Sequence, residues 1–178
     1  MTRPLRSTFP YGFWHITSRG VDGRLIFMDE DDRNVFLHML QRVIPRFGWR
    51  CHAYCLMSNH YHLVIECGQP ALSDGMERLN GLYASYVNQR HGRVGHLFQR
   101  RFESRSIQDE RYLESACRYV LENPVRARLC AQVVDWPWSG LRAPTGPSRT
   151  AALRRAARPS SPAPRPDRPT QERPPRNG

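Results

Sequence analysis

The sequence predicts an α+β domain of the ferredoxin-like class, in which an antiparallel sheet carries two helices on one face. Four short segments alternate between apolar and polar residues, as half-buried strands do, while three longer segments repeat apolar residues at helical spacing. Their order is strand, helix, two strands, helix, strand, and a third helix follows. Because the second sheet face would otherwise be bare, we expect the third helix to cover it.

Four strands are expected from the alternation of apolar and polar residues. They span residues 13–19, 49–57, 60–67 and 98–107. The middle two should form a hairpin, since the Ser-Asn pair at 58–59 suits a two-residue turn. In the first and third strands, the apolar side chains that should meet the first two helices are Trp14, Ile16, Tyr61, Leu63 and Ile65.

Three helices are expected, and each has a recognisable start. The acidic run at residues 29–32 opens the first helix, because negative charge suits the N-terminal end of the helix dipole. Ser73 can cap the second helix, and either Asp109 or Ser106 can cap the third. We expect the third helix to end at the Asn-Pro pair at 123–124, because proline disfavours helical geometry in the preceding residue.

Two histidines at alternate positions of the third strand are the strongest functional signal. Side chains alternate across a strand, so His60 and His62 share one face while Tyr61 points into the core. Two imidazoles side by side on a rigid strand form half of a divalent-metal site. The alternative is a pair of hydrogen-bonded structural histidines. A zinc set that adds Cys51 and Cys55 is disfavoured, because the hairpin register need not bring those thiols to the imidazoles.

The third helix carries side chains that complement the histidine face. Tyr119 and Asn123 lie one turn apart on one face, which Tyr112 and Ala116 continue toward the N-terminus. Laid across the histidines, this face offers a phenol and an amide oxygen to one metal and leaves positions for substrate oxygens. A phosphodiester held there is open to attack by a tyrosyl oxygen.

Spacing alone leaves other roles open for these residues. Tyr119 is otherwise a core aromatic with a hydrogen-bonded hydroxyl, and Asn123 is otherwise a residue that ends a helix before proline. Tyr83 and Tyr86 on the second helix are rival nucleophiles, but that helix should lie on the opposite face of the sheet.

The charge balance indicates a polyanionic partner. The formal net charge is +11, the sequence pI is about 10.3, and all 27 basic residues are arginines. The planar fork of arginine suits phosphate oxygens, so nucleic acid is the expected partner. The lack of lysine excludes Schiff-base chemistry and a Walker-type phosphate loop. Five cysteines without a C-x-x-C pair fit a reducing compartment, and no apolar run could span a bilayer, so we expect a cytoplasmic protein.

The composition changes near Leu141. Residues 142–178 consist mainly of proline, arginine, alanine and serine, and nine arginines against two carboxylates give this segment a charge of +7. Such a segment cannot bury enough apolar surface to offset chain ordering, so we expect a disordered basic tail behind one domain at residues 1–141. The tail either attracts nucleic acid weakly and salt-dependently or is expendable.

Five segments carry a resemblance to a known family. They are YGFWHITSRG at 11–20, HAYCLMSNHYHLV at 52–64, GHLFQRRF at 95–102, YVLENPVRA at 119–127 and DWPWS at 135–139. In this order they resemble the HUH-class single-tyrosine transposases of the insertion-sequence type, and most of all the REP-associated tyrosine transposases.

The resemblance implies a palm-like or RRM-like form of the predicted fold, with a catalytic helix on the second sheet face. His60 and His62 would bind Mg²⁺ or Mn²⁺, and Tyr119 would be the nucleophile. Asn123 would supply a third ligand, at a position where many relatives have glutamine. The substrate would be single-stranded DNA near imperfect hairpins. Cleavage would leave a 5′-phosphotyrosine and a free 3′-hydroxyl able to rejoin to another strand, which makes the enzyme a DNA strand transferase.

The resemblance also suggests where DNA would bind. Candidates for phosphate contacts are arginines on the expected fourth strand, after the third helix and at the end of the first strand: Arg100, Arg101, Arg105, Arg126, Arg128 and Arg19. Their alternative role is a solvated basic face. Trp136 and Trp138 either stack on a base or pin the end of the domain. The protein would work as a monomer or homodimer in bacterial cytoplasm, associated with the nucleoid.

Two other functions remain open at this point. One is a non-catalytic, sequence-specific nucleic-acid-binding module, such as a domesticated transposase. The other is a metal-dependent nuclease that uses water instead of tyrosine as the nucleophile.

Overall fold

A computed structural model describes residues 11–141. The strands are β1 (Tyr11–Arg19), β2 (Arg50–Leu56), β3 (His60–Gly68), β4 (Glu103–Ile107) and β5 (Ser139–Leu141). The helices are α1 (Glu30–Arg46), α2 (Gln69–Arg90) and α3 (Glu110–Arg126), with 3₁₀ turns at Val21–Gly23 and Val133–Asp135. The predicted tail at 142–178 lies outside the described residues, as does the start of the predicted domain at 1–10.

The five strands form one antiparallel sheet in the order β4-β1-β3-β2-β5. The first four have the ferredoxin-like arrangement, which confirms the predicted fold class. The fifth strand was not expected. It pairs with β2, where Tyr54 faces Gly140, and Trp136 Nε1 donates to the Leu56 carbonyl at 3.1 Å. Trp138 packs against the main core, so this tryptophan pair pins the end of the domain.

The main core lies between the sheet and the two helices α1 and α2. It contains the five apolar strand residues that were expected to face the helices: Trp14, Ile16, Tyr61, Leu63 and Ile65. A network of hydrogen-bonded polar side chains crosses this core. In this network the Tyr61 hydroxyl donates to Asn80 Oδ1 at 2.5 Å. The Asn80 amide in turn donates to Ser18 Oγ and to the Arg101 carbonyl. Asn80 therefore ties α2 to two strands and to the loop before β4.

Helix α3 covers the second face of the sheet, as predicted. Cys117 and Val120 of the helix pack in a smaller core against Val64 and Ala53 of the strands. Asp109 caps the helix, because its carboxylate accepts from the amides of Arg111 and Tyr112. This resolves the choice between the two predicted caps.

Helix α3 does not end at the Asn-Pro pair as predicted but continues to Arg126. Pro124 has no N–H to offer the carbonyl one turn back, that of Val120. The side-chain amide of Asn123 supplies a substitute, donating to the carbonyls of Tyr119 at 2.8 Å and Val120 at 3.4 Å. The proline is thereby tolerated inside the last turn.

Two other element boundaries differ from prediction by several residues. Helix α2 begins at Gln69 with Gly68 as its N-cap, not at Ser73, because Pro70 fits the first helical turn. Strand β4 begins at Glu103, so Arg100 and Arg101 lie in the preceding loop and not on the strand. In that loop the Arg101 carbonyl accepts from the Asn80 side chain instead of from a neighbouring strand.

A shift of register in β2 places the two cysteines of the disfavoured zinc set on opposite faces of the sheet. The register shifts between Cys51 and Ala53, so Cys51 packs in the main core while Cys55 packs under α3. Across residues 11–141 no group of three or more histidine, cysteine or acidic side chains could hold a metal ion. None of the three helices there is both long and apolar enough to cross a lipid bilayer.

Candidate active site

His60 and His62 lie on the face of β3 that turns toward α3. Their ring centroids are 5.0 Å apart and the rings are nearly perpendicular. They share this face because the strand alternates, while Tyr61 between them is fully buried in the main core. The structure therefore brings the predicted pair together on one rigid element.

Asn59 fixes the proton position of His60. The Asn59 amide nitrogen donates to the Gly23 carbonyl at 3.1 Å, so its amide oxygen is the atom that faces His60 Nδ1, at 2.7 Å. That oxygen can only accept, so Nδ1 must carry the proton. The lone pair of the imidazole is then on Nε2, the nitrogen left to bind a metal.

The Nδ1 atom of His62 is also engaged from within the protein. It lies 3.1 Å from Thr17 Oγ1 and 3.1 Å from His15 Nε2. Both partners come from β1, where Thr17 pairs directly with His62 across the ladder. The second nitrogen, Nε2, has no hydrogen bond among the described residues and is the ring atom of His62 left for a metal.

Burial keeps these imidazoles neutral. Loss of water lowers the pKa of His60 to about 4, with a smaller contribution from the charge of Arg19. Burial, followed by the charges of His60, His15 and Arg19, lowers the pKa of His62 to about 3. Burial and then the charge of Arg105 lower the pKa of His15. Neutral imidazole is the metal-binding form, so the donor set fits a divalent cation at neutral pH.

Tyr119 lies on α3 across from His15 and His62. Its ring centroid is 5.8 Å from that of His15 and 6.3 Å from that of His62, edge to face in both cases. The side chain is 41 % exposed, so it is not the core aromatic of the alternative interpretation. The Arg126 guanidinium stacks 4.8 Å from the ring centroid, and a 2.9 Å ion pair with Glu122 holds that arginine in place.

A cleft of about 380 Å³ opens between β1, β4 and α3. Its walls are His15, Thr17, His62, Glu103, Arg105, Ala116 and Tyr119. The small side chain of Ala116 leaves room between helix and sheet. The cleft thus joins a neutral imidazole, a phenol and a guanidinium, which suit a phosphodiester, with one carboxylate, that of Glu103, which Arg100 pairs at 3.7 Å.

Asn123 is one turn beyond Tyr119, as predicted, but its side chain is turned onto its own helix. The amide nitrogen donates to two main-chain carbonyls. The amide oxygen has no hydrogen bond within the described part of the chain and is the only atom of this side chain that could bind a cation.

The predicted arginines fall into three groups. Arg105 and Arg126 flank Tyr119. Arg19 and Arg100 line a neighbouring cleft of about 250 Å³ together with Gln99 and Phe102. The other two, Arg101 and Arg128, are exposed and contact neither Tyr119 nor the histidines within residues 11–141.

Sequence reasoning missed two residues that position the histidines. Asn59 was expected only to form a turn, and Thr17 was assigned no function. No local sequence signal marks them, because each acquires its partner only when distant segments meet.

The rival tyrosines lie on the other side of the sheet. Tyr83 is fully buried in the main core, and its hydroxyl donates to the Ile26 carbonyl at 2.7 Å. Burial raises the pKa of this phenol. Tyr86 packs against the same core, so neither residue reaches the histidine face.

Comparison with a solved structure supports the architecture. The chain resembles a REP-associated tyrosine transposase that was solved bound to a REP hairpin, with a TM-score of 0.67, 18% sequence identity and coverage of 89% of each chain. It also resembles a candidate transposase from Deinococcus radiodurans R1, with a TM-score of 0.46, 15% identity and coverage of 68% of this chain and 97% of that one.

Sequence comparison identifies the family. No curated protein matches the chain. The model of the IS200-like transposase family matches residues 14–123, which contain most of β1, all of β2 to β4 and most of α3. The chain therefore belongs to the family of IS200-like transposases.

Proposed function

We propose that the protein cleaves and rejoins single-stranded DNA through a covalent bond between Tyr119 and a 5′-phosphate. The observation that carries the proposal is the position of the Tyr119 ring, 6.3 Å from that of His62 across a solvent-accessible cleft. Transposases must break and rejoin DNA strands, and this cleft holds a tyrosine beside groups suited to a metal and to phosphate.

His60 and His62 would hold a divalent cation, Mg²⁺ or Mn²⁺, through their Nε2 atoms. Asn123 would contribute its amide oxygen after a side-chain rotation. When bound, the cation polarises a phosphodiester and neutralises charge that develops on its oxygens. Asn59 would keep the proton of His60 on Nδ1, and Thr17 and His15 would hold the ring of His62 in its orientation.

The proposed step is a transesterification that needs no external energy source. The Tyr119 oxygen attacks phosphorus and forms a phosphotyrosine bond as the bond from phosphorus to the 3′-oxygen breaks. The phenolic proton leaves to solvent, and the departing 3′-oxygen takes up a proton. In the reverse direction a 3′-hydroxyl of another strand attacks the phosphotyrosine and releases Tyr119.

Arg126 would bind the phosphate that Tyr119 attacks, and Arg105 would bind the backbone phosphate next to it. Arg126 also stacks on the tyrosine ring, which limits the directions in which the phenol can point. Arg19 and Arg100, next to the cleft, would guide the neighbouring backbone phosphates. Arg101 and Arg128 would make weaker contacts at the periphery.

The proposed substrate is single-stranded DNA close to a short hairpin. The REP-associated transposase that shares this fold is bound to a REP hairpin, and this chain carries a net charge of +11. Because Tyr119 lies beside His62 of the same chain, the proposed reaction would be possible in a monomer as well as in a homodimer. Such a substrate would be met on the bacterial nucleoid.

The test is formation of a covalent adduct. The protein is incubated with Mn²⁺ and single-stranded DNA from the flanks of its own gene, and products are separated under denaturing conditions. We expect a protein–DNA adduct in the wild type and none in Tyr119→Phe, because only the hydroxyl is removed. Tyr86→Phe, on the opposite sheet face, is the matched control and should form the adduct normally.

The alternatives give different results in the same assay. An adduct in Tyr119→Phe would show that another residue is the nucleophile. Cleavage without an adduct would select a nuclease that uses water. Salt-dependent binding without cleavage in any divalent metal would select a non-catalytic binding module.

A further inference from the structure

A second cleft continues from the active-site cleft along α3. It has a volume of about 460 Å³ and shares three wall residues with the first cleft: His15, Arg105 and Ala116. Beyond them it reaches Ser115 and Tyr112 on the helix and Gln108 after the strand. The two clefts therefore form one groove between β4 and α3, with Tyr119 near one end and Tyr112 near the other.

Tyr112 is an aromatic side chain that is largely exposed to solvent. It is 63 % exposed, and it lies seven residues before Tyr119 on the same helix. Seven residues are close to two helical turns, so both rings project toward the groove about 10 Å apart along the axis. Ala116 lies about halfway between them, and its small side chain keeps the groove open at that point.

Arg105 lies between the two tyrosines on the opposite wall. It is exposed on β4, an outer strand of the sheet, and it has no acidic partner among the described residues. It borders both clefts. An unpaired guanidinium beside an exposed phenol ring is the combination with which proteins hold single-stranded nucleic acid, since the cation binds the backbone and the ring stacks on a base.

We propose that this groove binds the nucleotide next to the phosphate that is cleaved, with its base stacked on Tyr112 and its phosphate paired with Arg105. The proposal rests on the proposed function, because the groove would receive the neighbouring nucleotide only if the scissile phosphate is bound at Tyr119. It adds a base-binding subsite to the cleft, so cleavage depends on one neighbouring base as well as on the scissile phosphate.

The experiment is an abasic scan measured by binding alone. The Tyr119→Phe protein is titrated with fluorescent single strands from the flanks of its own gene, each lacking one base. We expect one position beside the scissile phosphate at which the missing base weakens binding about tenfold, or ~1.4 kcal/mol. With Tyr112→Ala added, the same missing base should have no further effect. With Tyr112→Phe, which keeps the ring, the tenfold effect should return.

Arginine variants supply matched controls. Arg105→Ala should weaken binding of every strand and reduce its salt dependence, because it removes a phosphate contact. Arg118→Ala removes the same charge from an exposed position of α3 that lines neither cleft, and its binding should match the parent.

Failure of this inference can be told apart from failure of the proposed function. If the abasic penalty persists unchanged in Tyr112→Ala, the base stacks elsewhere and the subsite is wrong, even when Tyr119 forms its adduct. If Tyr112→Ala abolishes self-association of the protein but not the abasic penalty, the ring faces a second copy and the inference is also overturned. Loss of the adduct in wild-type protein counts against the proposed function alone.

Discussion

At the scale of single residues, the donor atoms of the site depend on side chains that never touch DNA in the proposed reaction. Asn59 bonds the Gly23 carbonyl and His60 Nδ1 at once. Asn59→Ala removes the acceptor that keeps the proton on Nδ1, so the ring is free to turn or change tautomer. We expect Mn²⁺ affinity, measured by paramagnetic resonance of free Mn²⁺, to fall about 10- to 100-fold.

The neighbouring serine provides the control for Asn59. Ser58 contributes its main-chain carbonyl to the amides of Ile26 and Phe27, and Ser58→Ala keeps that group. This variant should bind Mn²⁺ like the wild type. Equal affinities for Asn59→Ala and wild type, with both proteins folded by thermal unfolding, would show that the asparagine does not orient His60.

Part of the site could be predicted at this scale and part could not. The histidine pair follows from alternation in one strand, and the position of Tyr119 from one helix lying across that strand. The orientation of the imidazoles does not follow, because Asn59 finds its partner Gly23 in a loop 36 residues earlier in the chain. Such a bond depends on tertiary contact and leaves no periodic signal.

At the scale of elements, long patterns were predictable and short ones were not. The alternation in β1 and β3 and the helical spacing in α1 gave the correct elements, and their order gave the fold class. Strand β5 has three residues, too few to show alternation. The extension of α3 past Pro124 depends on a side-chain bond from Asn123, which no propensity rule contains.

The contact between α1 and α2 should make the domain sensitive to acid. The carboxylate of Asp32 is fully buried and accepts from Arg90 at 2.5 Å and from His91 at 3.0 Å. Burial alone would raise the pKa of Asp32, but hydrogen bonds from His91, the Met28 amide and Arg90 together hold it below its ordinary value. The hydrogen bond from Arg90 also lowers the pKa of exposed Asp29 to about 2.

The sign of the effect follows from these two pKa directions. A carboxyl group with a lowered pKa in the folded state stabilises that state above its unfolded pKa, about 4, and the stabilisation is lost as pH falls through the folded pKa. We expect the free energy of unfolding, measured in urea, to decrease as pH falls from about 4 to about 2. Asp32→Asn should flatten this decrease.

An exposed carboxylate on the same pair of helices serves as the comparison. Asp74 is exposed on α2 and has no ion pair among the described residues. Asp74→Asn should keep the pH dependence of the wild type. If Asp32→Asn loses as much stability between these pH values as the wild type does, other carboxylates govern acid unfolding.

At the scale of the whole molecule, charge is distributed unevenly along the chain. Residues 142–178 carry +7 of the net +11, whereas every group of the proposed chemistry lies in the described domain. The segment 142–178 would therefore supply long-range attraction to DNA, while residues within 11–141 would supply the local chemistry. We propose that the tail raises affinity for DNA without sequence preference, while the cleft between α3 and the sheet performs the reaction.

Truncation after Leu141 tests this division. Each arginine that contacts a phosphate of single-stranded DNA contributes about 0.7 to the slope of log affinity against log salt concentration. The truncated protein should therefore bind more weakly at low salt and show a smaller slope, measured by fluorescence titration. Its rate of adduct formation at saturating DNA should equal that of the full chain, because Tyr119 and its neighbours are retained.

A full-length variant with the nine tail arginines changed to glutamine separates charge from length. It should reproduce the reduced salt slope of the truncated protein, since phosphate attraction follows charge. An unchanged slope in both variants would mean that the tail does not contact DNA and is expendable. A slower adduct-forming step in the truncated protein at saturating DNA would instead place part of the active site beyond Leu141.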